Sequence, residues 1–527
     1  MNPRLTALTS AVSCCHRGAR LRLRYEVLNI VYVTSEAVPL AKTGGLADVC
    51  GTLPREVAAL GHRCAVILPA FRSVHRSGLK IDTTDISFAI PMSPGKLVGG
   101  RLLRCLLPES NVVAWLIDQP QYFDRESLYG DSLGDYRDNA ERFTFFCRAA
   151  LAALMRIEMD VDVLHCNDWQ SGLIPALVQA SPTAYRSLSR AATLMTIHNM
   201  AYQGNFHRDA FAWTGLDWKH FTHESFEYYG QLNFLKTGIV CADHVTTVSP
   251  RYAMEICTPQ HGCGLDGVLA SKGGRVTGIT NGIDETVWNP ATDSTLPVRF
   301  DVDDWQTGKV ANKRSLQSEF GLEESDDVPM IGLVGRLAEQ KGWDLILPVI
   351  RQHVREGRPT QWMILGSGDK QIETELAALA AEAPQQVAAH IGFNDALAHR
   401  IEAGADLFVM PSHYEPCGLN QLYSLRYGTI PIVTATGGLA DTVVDTTAEN
   451  LANETATGFH LHEVSPRGLD EAVGRALQLR YHDQKNWNNL VERAMSADWS
   501  WRKSASQYVE LYDHAVSLKR GMAKTPK

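Results

Sequence analysis

Lys42-Thr43-Gly44-Gly45-Leu46-Ala47-Asp48 sits between an apolar, β-rich run, Ile30-Val31-Tyr32-Val33, and a segment patterned as a helix. Paired glycines ahead of a helix let backbone N–H groups approach a ligand and aim the helix's positive end at it. The adjacent lysine adds a full cation, so the stretch reads as a cradle for an anion such as a phosphate. Its last six residues return letter for letter as Thr436 to Asp441. A Gly-Gly turn by itself is a weak signal. The same turn at both ends of one chain predicts two related half-structures.

A chain of 527 residues is long for one core and predicts two domains of roughly 200–250 residues each. The apolar fraction of 45% and charged fraction of 21% are those of a globular protein. A net charge of −9 argues against a nucleic-acid footprint, which needs a concentrated basic face. No apolar run approaches the ~18 residues of a membrane span. The 11 cysteines are scattered without CxxC or zinc spacing, Cys14-Cys15 being the adjacent pair, and read as reduced thiols in a reducing compartment. Residues 1–27 carry Arg4, Arg17, Arg20, Arg22 and Arg24 with no acidic residue before Glu26. They read as a disordered extension, the alternative being an organelle transit peptide. The corresponding locations are the cytoplasm and the plastid stroma.

From Leu28 onward, β-rich runs alternate with helical stretches, which predicts α/β architecture with mostly parallel sheets. The strands expected in the first half are Ile30–Val33, Ala65–Leu68, Val112–Ile117, Val163–His165, Thr193–Ile197 and Val245–Val248. Ile86–Ile90 with Leu102–Leu107 is expected as an edge hairpin, and helices over Asn139–Met155, Gly172–Gln179 and Gln231–Cys241. Between Pro259 and Glu324 lie His261-Gly262-Cys263-Gly264, Gly273-Gly274, Asn281-Gly282 and Asn289-Pro290, turn signals that mark the domain junction. Strands then resume at Met330–Val334, Gln361–Leu365, Val387–Ile391, Leu407–Met410 and Pro431–Val433, and two helical stretches close the chain. The domains expected are 28–275 and 276–495, with 496–527 as a terminal helix returning to the first. Two doubly wound halves place a cleft between the carboxyl ends of two sheets, where such folds bind ligands.

Nearly every unusual cluster follows an expected strand. His198-Asn199 follows Thr193–Ile197, and Asn167-Asp168-Trp169 ends another strand, where Asp168 reads as the cap of the next helix. Asp138-Asn139-Ala140-Glu141-Arg142 opens a long helix. Gly335-Arg336-Leu337-Ala338-Glu339-Gln340-Lys341-Gly342 puts two cations five residues apart on a Gly-flanked loop, which suits a diphosphate: Arg336 as a bidentate donor, Lys341 as a point charge. It is not a P-loop, because Gly342 stands where the hydroxyl residue belongs. Gly366-Ser367-Gly368-Asp369 lacks the third glycine of a dinucleotide fingerprint. Glu415-Pro416-Cys417-Gly418-Leu419 places a carboxylate over the same crevice.

These residues resemble the bacterial glycogen synthases and plant starch synthases, glycosyltransferases of the GT-B fold. The resemblance rests on KTGGLADV, DNAERF, HCNDWQSG, TIHNMAYQG, NGID, GRLAEQKG, HYEPCGLNQLYSLRYG and TGGLADTV, in the family's order and spacing from about Leu28 to the final helix. It implies two Rossmann-like domains facing each other across a cleft. It also implies retaining transfer of glucose from ADP-glucose to the non-reducing 4-hydroxyl of an α-1,4-glucan, without a metal or cofactor. The implied catalytic residues are Asp138, His198, Arg336, Lys341 and Glu415. Lys42, Gly44, Gly45, Gly366, Phe393, Leu419, Asn420, Thr436, Gly437 and Gly438 would bind the donor nucleotide. Asp48, Asn139, Arg142 and Asn199 would lie on the sugar and acceptor side. The implied partners are ADP-glucose and a glycogen or starch primer, with no nucleic acid and no membrane.

The chain departs from many retaining GT-B enzymes in carrying Tyr423 where a second glutamate stands eight residues after the first, an absence shared by starch and glycogen synthases. Asn420 and Phe393 stand where some relatives have threonine and tyrosine. The rival readings are a GT-B enzyme using UDP-glucose, a non-catalytic glucan-binding protein on the same scaffold, and a nucleotide-dependent oxidoreductase. The missing GxGxxG counts against the last.

Overall fold

The computed structural model describes residues 26–523 except 94, 132, 133, 158, 274 and 275. Nearly all of the expected leader, with its arginines and Cys14-Cys15, lies outside the described residues, as does Gly274. The first domain is built on a nine-stranded sheet. Its strands are β1 (Asn29–Val33), β2 (Arg63–Pro69), β3 (Asp82–Ser93), β4 (Lys96–Leu106), β5 (Val113–Asp118), β6 (Val163–Asn167), β7 (Ala192–Ile197), β8 (His244–Thr247) and β9 (Val276–Gly278), in the order β9-β8-β7-β6-β1-β2-β5-β4-β3. All neighbours are parallel except β3 and β4, which form the expected antiparallel edge. β1 is buried on both faces, which explains why Ile30–Val33 reads as an unbroken apolar run rather than an alternating one; β6 is equally buried and carries His165 and Asn167 inward.

The chain leaves β1 toward β2 and β5 on one side and reaches β6 to β9 on the other. The carboxyl ends of β1 and β6 therefore flank a topological switch point, where ligands enter such sheets. The second domain repeats the arrangement with β10 (Met330–Leu337), β11 (Gln361–Gly368), β12 (Val387–Ile391), β13 (Leu407–Met410), β14 (Ile430–Val433) and β15 (Phe459–His460), in the order β12-β11-β10-β13-β14-β15. Its switch point lies between β10 and β13, so the loops with Arg336, Lys341 and Glu415 converge there.

Six helices matter for the site: α1 (Gly45–Ala59), α2 (Asn139–Ile157), α3 (Pro250–Glu255), α4 (Asn420–Arg426), α5 (Gly437–Thr442) and α6 (Trp501–Ala523). α6 belongs to the second half in sequence and to the first in packing. Trp501, Tyr508 and Tyr512 join the first domain's core, and the Tyr512 hydroxyl lies 3.1 Å from that of Tyr32 and 2.8 Å from His165 Nδ1. The chain thus crosses between domains twice, and the crossings touch. Ile283 N donates to Trp499 O at 2.8 Å, and a Cβ on Gly282 would stand 2.5 Å from Trp501 N. Just beyond, Trp288 is sandwiched between His399 (3.8 Å, 10°) and Tyr423 (3.7 Å, 8°).

Three elements differ from the sequence reading. Gln231–Asn233 is a strand in a small sheet, and the helix starts at Phe234, because the Asn233 side chain caps it by accepting Lys236 N at 2.8 Å. β10 and β11 each run three residues past their expected ends, so Arg336 sits in an extended strand rather than in a loop. Glycine permits this: Gly335 has φ +154°, and a Cβ on Gly366 would stand 2.2 Å from Gly335 O. Finally, β9 pairs beside β8 and Ile279 N donates to Thr247 O at 2.9 Å, so the first sheet runs past the expected 275/276 boundary.

Candidate active site

The cradle after β1 is built, but its first two amides are taken. Thr43 N and Gly44 N donate to Glu36 Oε2 at 2.5 and 3.2 Å, and Thr43 Oγ1 donates to Glu36 Oε1 at 2.6 Å. The Tyr129 hydroxyl donates to the same Oε1 at 2.7 Å. A buried carboxylate with four donors is well satisfied, so Thr43 and Gly44 hold the chain's own anion. Space for a ligand remains at Gly44 and Gly45, where added Cβ atoms meet nothing closer than Leu419 Cδ1, 3.7 Å from Gly45, across the cleft. Lys42 Nζ pairs with Asp48 Oδ1 at 2.8 Å. Asp48 therefore tethers the cation rather than standing apart on the acceptor side.

His198 and Asp168 meet at the ends of β6 and β7. Asp168 Oδ1 accepts His198 N at 2.7 Å and also takes the Asn199 amide. The residue adopts φ +53°, in the left-handed region that few side chains tolerate. It therefore clamps the His198 loop instead of capping its own helix, which shows no side-chain cap bond. Burial pushes its carboxyl up to about 7 against the pull of the two amides. Burial pushes the His198 imidazole down to about 3, so it is neutral, with Nε2 3.0 Å from Asn167 Oδ1. Asn199 Oδ1 is spent on Ala201 N at 3.0 Å, inside a turn.

The Asp138–Arg142 segment divides into two roles. Asp138 is paired with Arg125, with Nη1 to Oδ1 at 2.8 Å. Asn139 and Arg142 are 2% and 0% exposed and do not face the cleft. The Arg142 guanidinium lies within 6 Å of the rings of Phe71, Phe123, Tyr136 and Phe143, and burial pushes it down to about 10. Arg142 Nη1 donates to Leu128 O at 2.9 Å and Asn139 Oδ1 at 3.0 Å, and Asn139 Nδ2 donates to Tyr129 O at 2.8 Å. Both residues fix the segment whose Tyr129 holds Glu36. Their bonds therefore run to the cradle through Tyr129 rather than to a sugar.

In the second domain, Arg336 is exposed and reaches across the cleft, with Nη1 3.2 Å from the Tyr202 hydroxyl and Nη2 3.1 Å from Gln340 Oε1. Lys341 Nζ donates to Glu415 Oε2 at 2.5 Å, and Ser412 Oγ donates to that oxygen at 3.0 Å. Phe393 is 84% exposed at the loop after β12, an open ring face of the kind a nucleobase stacks on. Leu419 caps the start of α4, whereas the Asn420 side chain is turned inward, with Nδ2 2.6 Å from Val334 O. Gly366 is buried between strands and serves their close approach. The returning turn offers no free amide at its two glycines. Gly437 N donates to Glu255, from the first domain, and Gly438 N to Glu415 O. Thr436, Gly437 and Gly438 thus brace the Glu415 loop and are not a second phosphate cradle.

The sequence reading therefore missed Glu36, Tyr129, Asp168 and Glu255 as site-forming residues. Glu36, an acidic residue just past a buried strand, was the one detectable signal. Asn281, at the first domain crossing, is also buried, and its Oδ1 has no partner among the described residues. No group of three or more metal-ligating side chains occurs among the described residues. The nine described cysteines are all free, and no described helix is long and apolar enough to cross a membrane.

Two Rossmann-like domains whose switch points face each other, with cations and a carboxylate on the second and a Gly-Gly turn on the first, define a GT-B glycosyltransferase. A model of the starch synthase catalytic domain matches residues 29–271, and one of group 1 glycosyl transferases matches residues 316–494. The chain is 62% identical to the glycogen synthase of Rhodopirellula baltica over 94% of its length and 99% of the relative's. It is 47% identical to that of Syntrophotalea carbinolica over 93% and 99%. The catalytic domain of starch synthase IV from Arabidopsis thaliana, bound to ADP and acarbose, superposes with a TM-score of 0.85 at 33% identity, covering 93% of this chain and all of that one. The sucrose-phosphate synthase of Thermosynechococcus elongatus shares the fold, with a TM-score of 0.55 at 19% identity, covering 93% and all. The chain belongs to the glycogen and starch synthase family of hexosyltransferases.

Proposed function

We propose that the protein transfers glucose from ADP-glucose to the non-reducing 4-hydroxyl of an α-1,4-glucan, retaining the α configuration and releasing ADP. The observation that carries this reading is the convergence of Arg336, Lys341 and Glu415 at the second switch point, facing Lys42 and Gly44–Gly45 at the first. Breaking the C1–O bond leaves positive charge at C1 and negative charge on the departing diphosphate. Arg336 and Lys341 are placed to take that negative charge, and one such preorganised group typically contributes roughly 3 kcal/mol.

A retaining glycosidase sets two carboxylates across the bond, one of them a nucleophile. The family resemblance implies no such nucleophile, and Glu415, bonded to Lys341 and Ser412, serves as a binding carboxylate. The acceptor oxygen then forms its bond to C1 on the face the diphosphate leaves, and the departing phosphate oxygen takes the acceptor's proton. The neutral His198, held by Asp168 and Asn167, packs beside the reacting ring without exchanging protons. Water would compete with the acceptor, so the cleft must close over the donor, and the paired crossings at Gly282 and Trp501 suit such a hinge.

ADP rather than UDP is favoured by the Lys42-Thr43-Gly44-Gly45-Leu46 start, which resembles the ADP-glucose branch of the family, and by the ADP bound to the plant relative. With two cations carrying the leaving charge, no metal or cofactor is required. The test is the product. Glucan extended from ADP-glucose in the presence of EDTA should gain only α-1,4-linked residues at an unchanged rate. Strong EDTA inhibition or inverted linkages would refute the mechanism.

A further inference from the structure

The two copies of the repeated turn hold a carboxylate with the same atoms, the threonine Oγ1 and the amide of the first glycine. In the first domain that carboxylate is Glu36, from the same domain. In the second it is Glu255, supplied by the first domain. Gly437 N lies 3.0 Å from Glu255 Oε2 and 3.2 Å from Oε1, and Thr436 Oγ1 lies 3.3 Å from Oε2. Arg251 Nε donates to Oε1 at 3.0 Å. The contact is reciprocal, because Arg251 N, at the start of α3, donates to Asp441 Oδ2 on α5 at 2.8 Å. On its far side the turn meets the Glu415 loop backbone to backbone. Gly438 N donates to Glu415 O at 3.0 Å. A Cβ on Gly437 would stand 2.0 Å from Glu415 O, and one on Gly438 2.1 Å from Cys417 O.

We infer that Glu255 is a positioning residue: a first-domain carboxylate that sets the Thr436-Gly437-Gly438 turn and, through it, the backbone carrying Glu415 of the second domain. Amide bonds to a carboxylate are shorter and stronger than those to a neutral oxygen, and the turn has no slack to shift without moving Glu415 O. The placement of Glu415 is thereby tied to the relative position of the two domains, the coordinate that hinge closure changes. This rests on the proposed role of Glu415 in glucosyl transfer.

The test compares wild type with Glu255→Ala and Glu255→Gln in the full chain. The readouts are amide hydrogen exchange at residues 437 and 438, kcat and KM with ADP-glucose and glycogen, and ADP binding by calorimetry. Glu255→Ala is expected to lose at least tenfold in amide protection and at least tenfold in kcat, with the Kd for ADP within threefold of wild type. Glu255→Gln keeps one acceptor oxygen but not the charge and is expected to lose clearly less of both than Glu255→Ala does. Unchanged kcat and protection in folded Glu255→Ala would overturn the inference, as would equal losses in both variants that merely follow the folded fraction. If Glu255→Ala does not fold, Thr436→Val removes one donor and leaves the carboxylate paired. A threefold or greater fall in kcat is then expected, and no change overturns the inference. A wild type that makes no glucan refutes the functional reading alone, because the exchange measurement reads the Glu255 contact without turnover.

Discussion

Lys341 Nζ lies 2.5 Å from Glu415 Oε2, so the cation proposed for the leaving diphosphate and the carboxylate proposed for the sugar are bonded to each other within the protein. The Glu415 side chain is only 8% exposed and shares that oxygen with Ser412 Oγ. Under the proposed function, an arriving diphosphate would compete with Glu415 for the ammonium and so couple donor binding to the freedom of the carboxylate.

Lys341→Ala is expected to lower kcat at least about tenfold, the lower end of what such a group contributes. It also strands a buried carboxylate, and breaking a buried pair costs about 3–5 kcal/mol. Lys341→Met combined with Glu415→Gln should regain most of the stability in urea unfolding and none of the turnover. Wild-type activity in either variant would remove Lys341 from the reaction.

His165 carries a pH signature. Burial, with the neighbouring His198, pushes its imidazole down to about 3, while the unfolded residue titrates near ~6.5. The unfolded state therefore takes up a proton that the folded state refuses. The stability this residue contributes is complete above that value and is lost as the pH falls toward 3. The cost of His165→Asn in urea unfolding should accordingly shrink by about 1.4 kcal/mol per pH unit below pH ~6.5. Asp168, raised to about 7 by burial, acts in the opposite direction but is present in both proteins and cancels. A pH-independent difference would show that His165 is not held neutral.

Tyr423→Glu supplies the second glutamate that many retaining GT-B enzymes carry. Tyr423 is buried and stacked on Trp288, so a carboxylate there loses the stack and is desolvated. Thermal and urea melts should show a loss of about 2–4 kcal/mol with no gain in kcat. Increased turnover would mean that this position is open to substrate.

The alternation of short strands and helices was legible because the central strands of both sheets are buried and apolar, as in Ile30–Val33 and Met330–Leu333, with helical stretches between them. The loops that carry Arg336, Lys341 and Glu415 could be found in the sequence because each follows a strand that flanks the second sheet's switch point, whereas Phe393, beyond the edge strand, was named only through the family resemblance. What the sequence hid was partnership. Thr43-Gly44 and Thr436-Gly437 look like phosphate cradles, yet Glu36 lies seven residues from its turn and Glu255 181 residues from its own. No local pattern announces such a pairing. The sugar-side role of Arg142 came from the family resemblance, and nothing local in the sequence shows the four aromatic rings that the fold brings around it. The register of Arg336 was missed because Gly335 and Gly366 let two strands run on together where glycine ordinarily signals a turn.

The central claim is transfer of glucose from ADP-glucose to a glucan. The most direct measurement incubates the purified protein with glycogen and either ADP-glucose or UDP-glucose, following nucleoside diphosphate release and glucan chain growth together. The expected result is one diphosphate released per glucose added, with ADP-glucose used at least about tenfold faster. Preference for UDP-glucose, or diphosphate release without chain growth, would contradict it.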